Sequence, residues 1–268
     1  MPTGVDFWGG VIVGLAVILC FAAEQWRPLR TRARPLGERL GTNVPMVVMA
    51  ALTLRLAMVP AALAVAAAAD RAGVGLLRWV PLPATAGAIV GFLLLDWSIY
   101  AWHRLNHRVP WLWRFHLVHH TDLDLDVSTA FRFHAGELLL SVGWRTLAIL
   151  AIGASPALLL IYEVATQSAT AFHHSNWRLP RGLERALGEV LVTPSMHGIH
   201  HSVVEGETNS NWSVVFAWWD RLHRTRRREP SNETLTIGLP AWRDPRELGL
   251  VRLLALPFRD QRPAWDRR

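Results

Sequence analysis

Five of the twelve histidines in this 268-residue chain lie between His103 and His120, and three more between His197 and His201. The first group opens with His103-Arg-Leu-Asn-His107, an i, i+4 pair that shares one helix face. His116-Leu-Val-His119-His120 and His197-Gly-Ile-His200-His201 repeat one H-x-x-H-H pattern, so a single helical turn presents three imidazoles in each. Neutral imidazole is the commonest protein donor to iron, copper and zinc. These eight residues are the expected catalytic metal ligands. Eight nitrogens are too many for one ion, because zinc takes four ligands and structural zinc usually includes cysteine. Cys20 is the only cysteine, and it lies in an apolar run. The donor set suits two ions with open positions, which means reaction with small molecules. Two iron ions (Fe2+/Fe3+), with O2 as co-substrate, are the leading assignment.

The other histidines differ in prospect. His174 follows an apolar hairpin and returns to the edge where the clusters lie, so it joins the expected ligands. His134, in Arg-Phe-His134-Ala-Gly-Glu137, precedes that hairpin and is a further candidate. His173 faces elsewhere on a helix and reads as a solvated or supporting residue. His223 reads as a surface residue. Asp96, Tyr100, His103 and His107 form one helical stripe. Asp96 either orients a ligating imidazole or pairs with an arginine, and both readings stay open.

The elements that must carry these residues are membrane helices. The composition is 51% hydrophobic and 18% charged, against a usual charged fraction of roughly 25%. That excludes a disordered chain and, with one cysteine, a disulfide scaffold. Phe7–Ala23 is an uncharged run of spanning length. Its front end carries Asp6 and no basic residue, which disfavours a cleaved signal peptide. Pro45–Ala69, interrupted by Arg55, and Pro83–Trp102, containing Asp96, are the second and third spans. Leu138–Ala165 is broken at Gly153-Ala154-Ser155-Pro156 and reads as a helical hairpin. Pro60 and the Gly/Pro break are expected to kink helices. The fold class expected is an all-α integral membrane bundle, three spans plus a hairpin, under a cytoplasmic histidine-rich cap. It divides into spans (1–102), a histidine-box region (103–225, with the hairpin at 138–172) and a basic tail (226–268) along the membrane surface.

The net charge of +7 is carried by arginine, since the chain has no lysine. Arg27, Arg30, Arg32, Arg34 and Arg39 follow the first span and place that loop inside by the positive-inside rule. Membrane topology and anionic headgroups account for the arginines without nucleic acid. Trp97, Trp102, Trp111 and Trp113 suit the cytoplasmic interface. An all-arginine, alanine-rich chain points to a GC-rich bacterium and its inner membrane.

The motifs resemble the fatty acid hydroxylase superfamily, which includes the sterol desaturases, over roughly Leu95–Thr225. The elements are D-x-x-x-Y-x-x-H-R-x-x-H (Asp96–His107), P-x-L-W-R-x-H-x-x-H-H (Pro110–His120) and T-x-x-R-F-H (Thr129–His134). F-x-H-S-N (Phe172–Asn176), T-P-x-x-H-x-x-H-H-S (Thr193–Ser202), and N-x-N-W followed by W-D-R-L (Asn209–Leu222) complete them. The resemblance implies a histidine-ligated diiron site and O2-dependent hydroxylation, desaturation or ether cleavage of a lipid. Its ligands would be His103, His107, His116, His119, His120, His174, His197, His200 and His201, with His134 a further candidate. Three places depart from the pattern. Ala135 stands for a proline, Ser213 for a glycine, and His223-Arg224-Thr225 for Phe-Gly-Thr. None touches a ligand, so these departures bear on substrate preference.

A lipid substrate, the membrane and a separate reductase or electron-transfer protein are the expected partners, because no nucleotide-binding or haem-attachment motif is present. The alternative is a histidine-rich membrane metal transporter or a non-catalytic lipid-binding homologue. Histidines beyond the span ends argue against a transport path, and a complete set of boxes argues against a dead scaffold. The lipid, the carbon attacked and the oligomeric state do not follow from these patterns.

Overall fold

The computed structural model describes residues 4–265. Among them there are helices and three isolated β-bridges but no strand. Helix α1 (Gly4–Trp26) grows from the uncharged first run. Helix α2 (Leu36–Thr53) passes through a π-helical turn at Leu54–Met58 into α3 (Val59–Ala72). Pro60 supplies no N–H for the ladder, and the widened turn just before it absorbs the mismatch. The expected kink therefore takes the form of a π-turn inside one long helix.

A short α4 (Leu76–Trp79) leads to α5 (Ala84–Arg108), which runs unbroken through residues 102 and 103. Helix α6 (Pro110–His120) follows after a one-residue break, with Pro110 at its first position, where the missing N–H costs nothing. Helices α7 (Ala135–Ile152) and α8 (Pro156–His174) form the hairpin. Gly153 ends α7 at φ +75°, and the Ser155 hydroxyl caps α8. Gly75 and Gly153 meet backbone to backbone, an approach that no Cβ would permit. Small helices α9 (Arg181–Leu187), α10 (Pro194–His200), α11 (Glu205–Thr208), α12 (Trp218–Leu222) and α13 (Leu250–Ala255) build the cap.

Four helical stretches are long and apolar enough to cross a membrane: Phe7–Trp26, Leu36–Trp79, Ala84–Arg108 and Ala135–Ile152. They expose large aliphatic residues such as Ile18, Leu19, Leu56 and Leu147. A contiguous outward apolar face of that kind needs lipid around it, and the chain is a membrane protein. Helix α1 packs along α8, while α3 and α5 each pack against both arms of the hairpin. The arms are thereby splayed, and the space between them matters below. Of the four tryptophans expected at the interface, Trp97 and Trp111 are exposed. Trp102 and Trp113 instead pack inward, against Trp144 and against His107 and His120.

The segment after Arg226 is not the surface tail that its Arg/Pro composition implied. Leu239, Trp242, Leu248 and Leu253 are buried in one core with Met46, Leu117 and Val118. Arg226 and Arg228 pair with Glu189. Leu250, Leu253 and Leu254 on α13 keep a helical spacing, but Leu239, Trp242 and Leu248 lie outside that helix, so tertiary burial organises most of the segment. Residues 266–268 of the proposed tail lie outside the described residues.

Candidate metal centre

Two groups of imidazoles form at the cap end. His103, His107, His116, His120 and His200 make one, and His119, His174, His197 and His201 the other. Within each group the ligand atoms all lie within 4.8 Å of one another. Helices α5 and α6 supply His103, His107, His116, His119 and His120; the last residue of α8 supplies His174; α10 and its C-cap supply His197, His200 and His201. The two identical boxes are each divided, with His119 facing one group and His120 the other, and His197 facing one and His200 the other. A helical turn does this because i+3 and i+4 lie on opposite sides of residue i.

The outer nitrogens are held by fixed acceptors, which sets the tautomer and aims the inner nitrogen. His103 Nδ1 donates to the Trp212 carbonyl at 2.8 Å, and His200 Nδ1 to the Ser210 carbonyl at 2.8 Å. His116 Nδ1 meets Glu137 Oε1 at 2.8 Å, and His174 Nδ1 donates to the Thr170 carbonyl at 2.9 Å. The inner Nε2 atoms of His107, His116, His120 and His200 are buried and lack any partner. In the second group His174 Nε2 lies 3.0 Å from Nε2 of both His119 and His197, and His201 Nε2 lies 3.1 Å from His197 Nε2. With one proton at most per neutral ring, these three contacts cannot all be hydrogen bonds. A cation among the lone pairs resolves both the orphaned nitrogens and the crowding. The residues therefore fit two metal ions, with donors that are all nitrogen, as iron, copper and zinc accept.

Burial and the neighbouring imidazoles hold His119, His120, His197 and His201 well below the usual histidine range, and burial brings His200 down to about 3. At neutral pH these rings are in the unprotonated form that binds metal.

His134 comes to neither group. Its Nδ1 accepts from the Gly136 N–H at 2.9 Å and so caps α7, and its Nε2 donates to the Leu254 carbonyl at 3.2 Å. Both nitrogens are spent on the fold, and the expectation of a tenth ligand is not met. His173 lies beside His174 and His197 but outside both groups, with Nδ1 on the Val214 carbonyl at 3.1 Å. His223 stacks on Tyr100 and accepts from Trp97 Nε1 at 3.1 Å.

Asp96 follows neither of its two readings. It accepts from the backbone N–H groups of Val215 and Phe216 and from Trp219 Nε1 at 2.7 Å. It moors the segment whose Trp212 carbonyl holds His103. Asp220, from W-D-R-L, receives the N–H groups of Trp212 and Ser213 and the Thr225 hydroxyl from the other side. Ser213, where the pattern has glycine, adds a hydroxyl that accepts from Asp220 N–H at 3.1 Å. Arg224, again in a glycine's place, adopts φ +58°, the left-handed conformation that glycine takes without strain.

Glu137, to which sequence reasoning gave no role, is the carboxylate on His116. Its signal was available: an acid three residues after His134, at the start of an apolar hairpin, is costly without a partner. The basic loop was also more than a topology signal. Arg39 bonds Asp122, Asp126 and Thr129, and Arg30 reaches Asn232 and the Leu125 carbonyl. Burial pushes Asp122 up, but the Arg39 and Arg132 guanidiniums outweigh it and hold the carboxyl below the usual range.

Beneath the histidines lies a largely apolar cavity of about 360 Å³. His103, His116, His119, His174 and His197 line one end, and aliphatic residues of α1, α2 and α5 line the sides.

A family model, fatty acid hydroxylase, matches residues 88–225, just over half of the chain. A cholesterol 25-hydroxylase from Rattus norvegicus is 29% identical over 168 residues, covering 62% of this chain and 55% of its own length. Ornithine lipid hydroxylase OlsE from Rhizobium tropici is 28% identical over 66% of this chain and 51% of its own length. Human alkylglycerol monooxygenase is 29% identical over 55% of this chain and 32% of its own length. The aligned part thus spans about half the length of the first two relatives and a third of the last. No solved structure matches this one. The match covers both H-x-x-H-H boxes and the D-x-x-x-Y-x-x-H-R-x-x-H stripe, and the chain belongs to the fatty acid hydroxylase family.

Proposed function

We propose that this chain is a membrane oxygenase that hydroxylates or desaturates an unactivated C–H bond of a lipid, using two irons held by nine histidines. The observation that carries the reading is the join between two buried imidazole groups and one apolar cavity. When bound, the irons would supply activation of O2 with two electrons and two protons from a separate donor, giving a hydroxylated product and one water, or an alkene and two waters. Among the chain's own residues, His103, His107, His116, His120 and His200 hold one ion, and His119, His174, His197 and His201 the other. Glu137 and the carbonyls of Trp212, Ser210 and Thr170 orient the rings. The aliphatic walls exclude water and seat the lipid. The relatives named above act on a sterol, an ornithine lipid and an alkylglycerol by their names, which supports a lipid substrate.

The arginine-rich loop after α1 is tied to the cap through Arg30 and Arg39. By the positive-inside rule this favours a cytoplasmic metal site, and the all-arginine, alanine-rich composition favours the inner membrane of a bacterium. The test is metal content and product formation together. Detergent-purified protein is expected to hold two irons per chain, and a His119→Ala/His200→Ala double variant to lose both. Iron-loaded protein given a chemical reductant, O2 and a membrane lipid extract is expected to yield an oxygenated lipid by mass spectrometry. One metal or none in the wild type, or metal retention by the variant, would refute the two-iron site.

A further inference from the structure

The cavity has a second polar end. Along α8, Glu163, Thr166, Thr170 and His174 follow at helical spacing and face it, as do Ser141 and Arg145 on α7. Arg145 and Glu163 form an ion pair across the splayed hairpin. Eleven residues separate Glu163 from His174, and eight separate Arg145 from Glu137. At 1.5 Å per residue the pair lies about 16 Å along α8 and about 12 Å along α7 from the metal end. Charges at such a depth in a membrane helix are costly and mark function by default.

This pair is not saturated. Arg145 Nε is buried without a partner, and Glu163 meets only one guanidinium nitrogen. The same pair also lines a small recess toward the π-turn, with Leu54 and Met58. A π-turn beside a cavity is a common mark of a functional site.

Resting on the oxygenase reading above, we infer that Arg145 and Glu163 bind the polar group of the substrate, and that this group is a neutral hydroxyl. An arginine paired with a glutamate has no net charge. It offers donors and an acceptor together, which a hydroxyl matches by accepting from one and donating to the other. A carboxylate would meet Glu163, and an alkane would leave the desolvated polar atoms without partners. The substrate class is therefore a long apolar alcohol, oxidised at a carbon on the order of 12–16 Å from its hydroxyl.

The experiment uses full-length protein in phospholipid nanodiscs and three probes of equal chain length: 1-octadecanol, octadecanoate and octadecane. Binding is measured first on metal-free protein by displacement of radiolabelled 1-octadecanol. The alcohol is expected to bind at least tenfold more tightly than the other two. An Arg145→Met/Glu163→Met variant, which removes every polar atom of the pair, is expected to lose that preference while holding the same metal content. Equal binding of the three by wild-type protein overturns the inference, as does a preference that survives the double variant. Turnover of the iron-loaded protein is a separate arm. Selective alcohol binding with no oxidised product would refute the oxygenase reading and leave this site standing; oxidation without selectivity would do the reverse. Oxidation of the alcohol only at carbons next to its hydroxyl would also overturn the proposed placement.

Discussion

Arg39 and Arg145 are both arginines near helix interiors, and their surroundings are opposite. Arg39 gives all three guanidinium nitrogens to oxygens: Nε to Asp122 at 3.3 Å, Nη1 to Asp126, and Nη2 to Asp122 at 2.9 Å and Thr129 at 3.1 Å. Asn43 and Ser128 close the same network. Arg145 bonds Glu163 through Nη1 alone, with Nε left over and a cavity beside it. A closed charge network holds loops to helices and has nothing to offer a ligand. An open one is weaker as a strut and retains recognition capacity. The cap network is thus suited to hold the two histidine groups still, while the hairpin pair keeps capacity for a further contact.

The largest effect expected from this contrast is at Arg39. Arg39→Met removes the cation from between buried Asp122, Asp124 and Asp126. Removing one member of a buried pair costs about 3–5 kcal/mol. The variant should unfold well below wild type in detergent and lose both metals, because Asp122 lies only two residues after His120, at the end of the helix that carries the proposed ligands His119 and His120. A thermal midpoint within a degree or two of wild type would mean that the acidic loop has another support and would break the comparison.

The next effect is smaller and local to one metal. Glu137→Gln keeps the shape beside His116 but removes the charge. Loss of such an orienting group lowers metal affinity by about 10–100-fold. Titration with a chelator should strip the ion of the five-histidine group first, with the four-histidine ion following wild type. Equal loss of both ions would show that the two groups act as a unit.

A third effect is specific to the cap. His119, His120, His197, His200 and His201 sit below the usual range when folded, because burial disfavours their charged form. Unfolded histidines take up protons near pH 6.5. The unfolded state then binds more protons than the folded one, so metal-free protein keeps its full stability above about pH 6.5 and loses it progressively below. The loss should be steep, since several rings contribute. A flat midpoint between pH 7.5 and 5 would contradict the packing. Near pH 7.5, metal binding should release almost no protons, measured by calorimetry in two buffers of different ionisation heat.

The contrast also explains what the residue pattern revealed. Short-range periodicity reported the long apolar helices, the break at Gly153–Pro156 and eight of the nine histidines that gather into two groups, because each is a local property of the chain. The ninth histidine of those groups, His174, followed from the return of a hairpin to its starting side. His134 misled because histidine in a box neighbourhood looks the same whether it caps a helix or binds a metal; only the Gly136 N–H and the Leu254 carbonyl decide. The supports for the rings come from backbone carbonyls of Ser210 and Trp212, which carry no residue signature at all. The arginine loop showed its charge but not its partners, since Asp122 and Asp126 lie more than eighty residues away in sequence. The C-terminal segment was misjudged for the same reason: Trp242 and Leu253 find their core in α2 and α6, not in their own neighbours.

The smallest stability effect is expected at the open end of the cavity. Arg145→Met/Glu163→Met removes both charges, and replacing a whole ion pair by apolar residues of similar volume is often close to neutral. The double variant should unfold within about 1 kcal/mol of wild type. Glu163→Gln alone should cost more, because Arg145 then keeps its charge without a counter-charge. The inequality is what distinguishes the two regions: at Arg39 no compensating partner change restores stability, since three carboxylates share the one cation. If the double Met variant proves as unstable as Arg39→Met, the hairpin pair is a strut of the same kind as the cap network. If it is stable but has lost its preference for an alcohol over an alkane, the same two residues are a recognition site placed where the membrane makes charge most conspicuous.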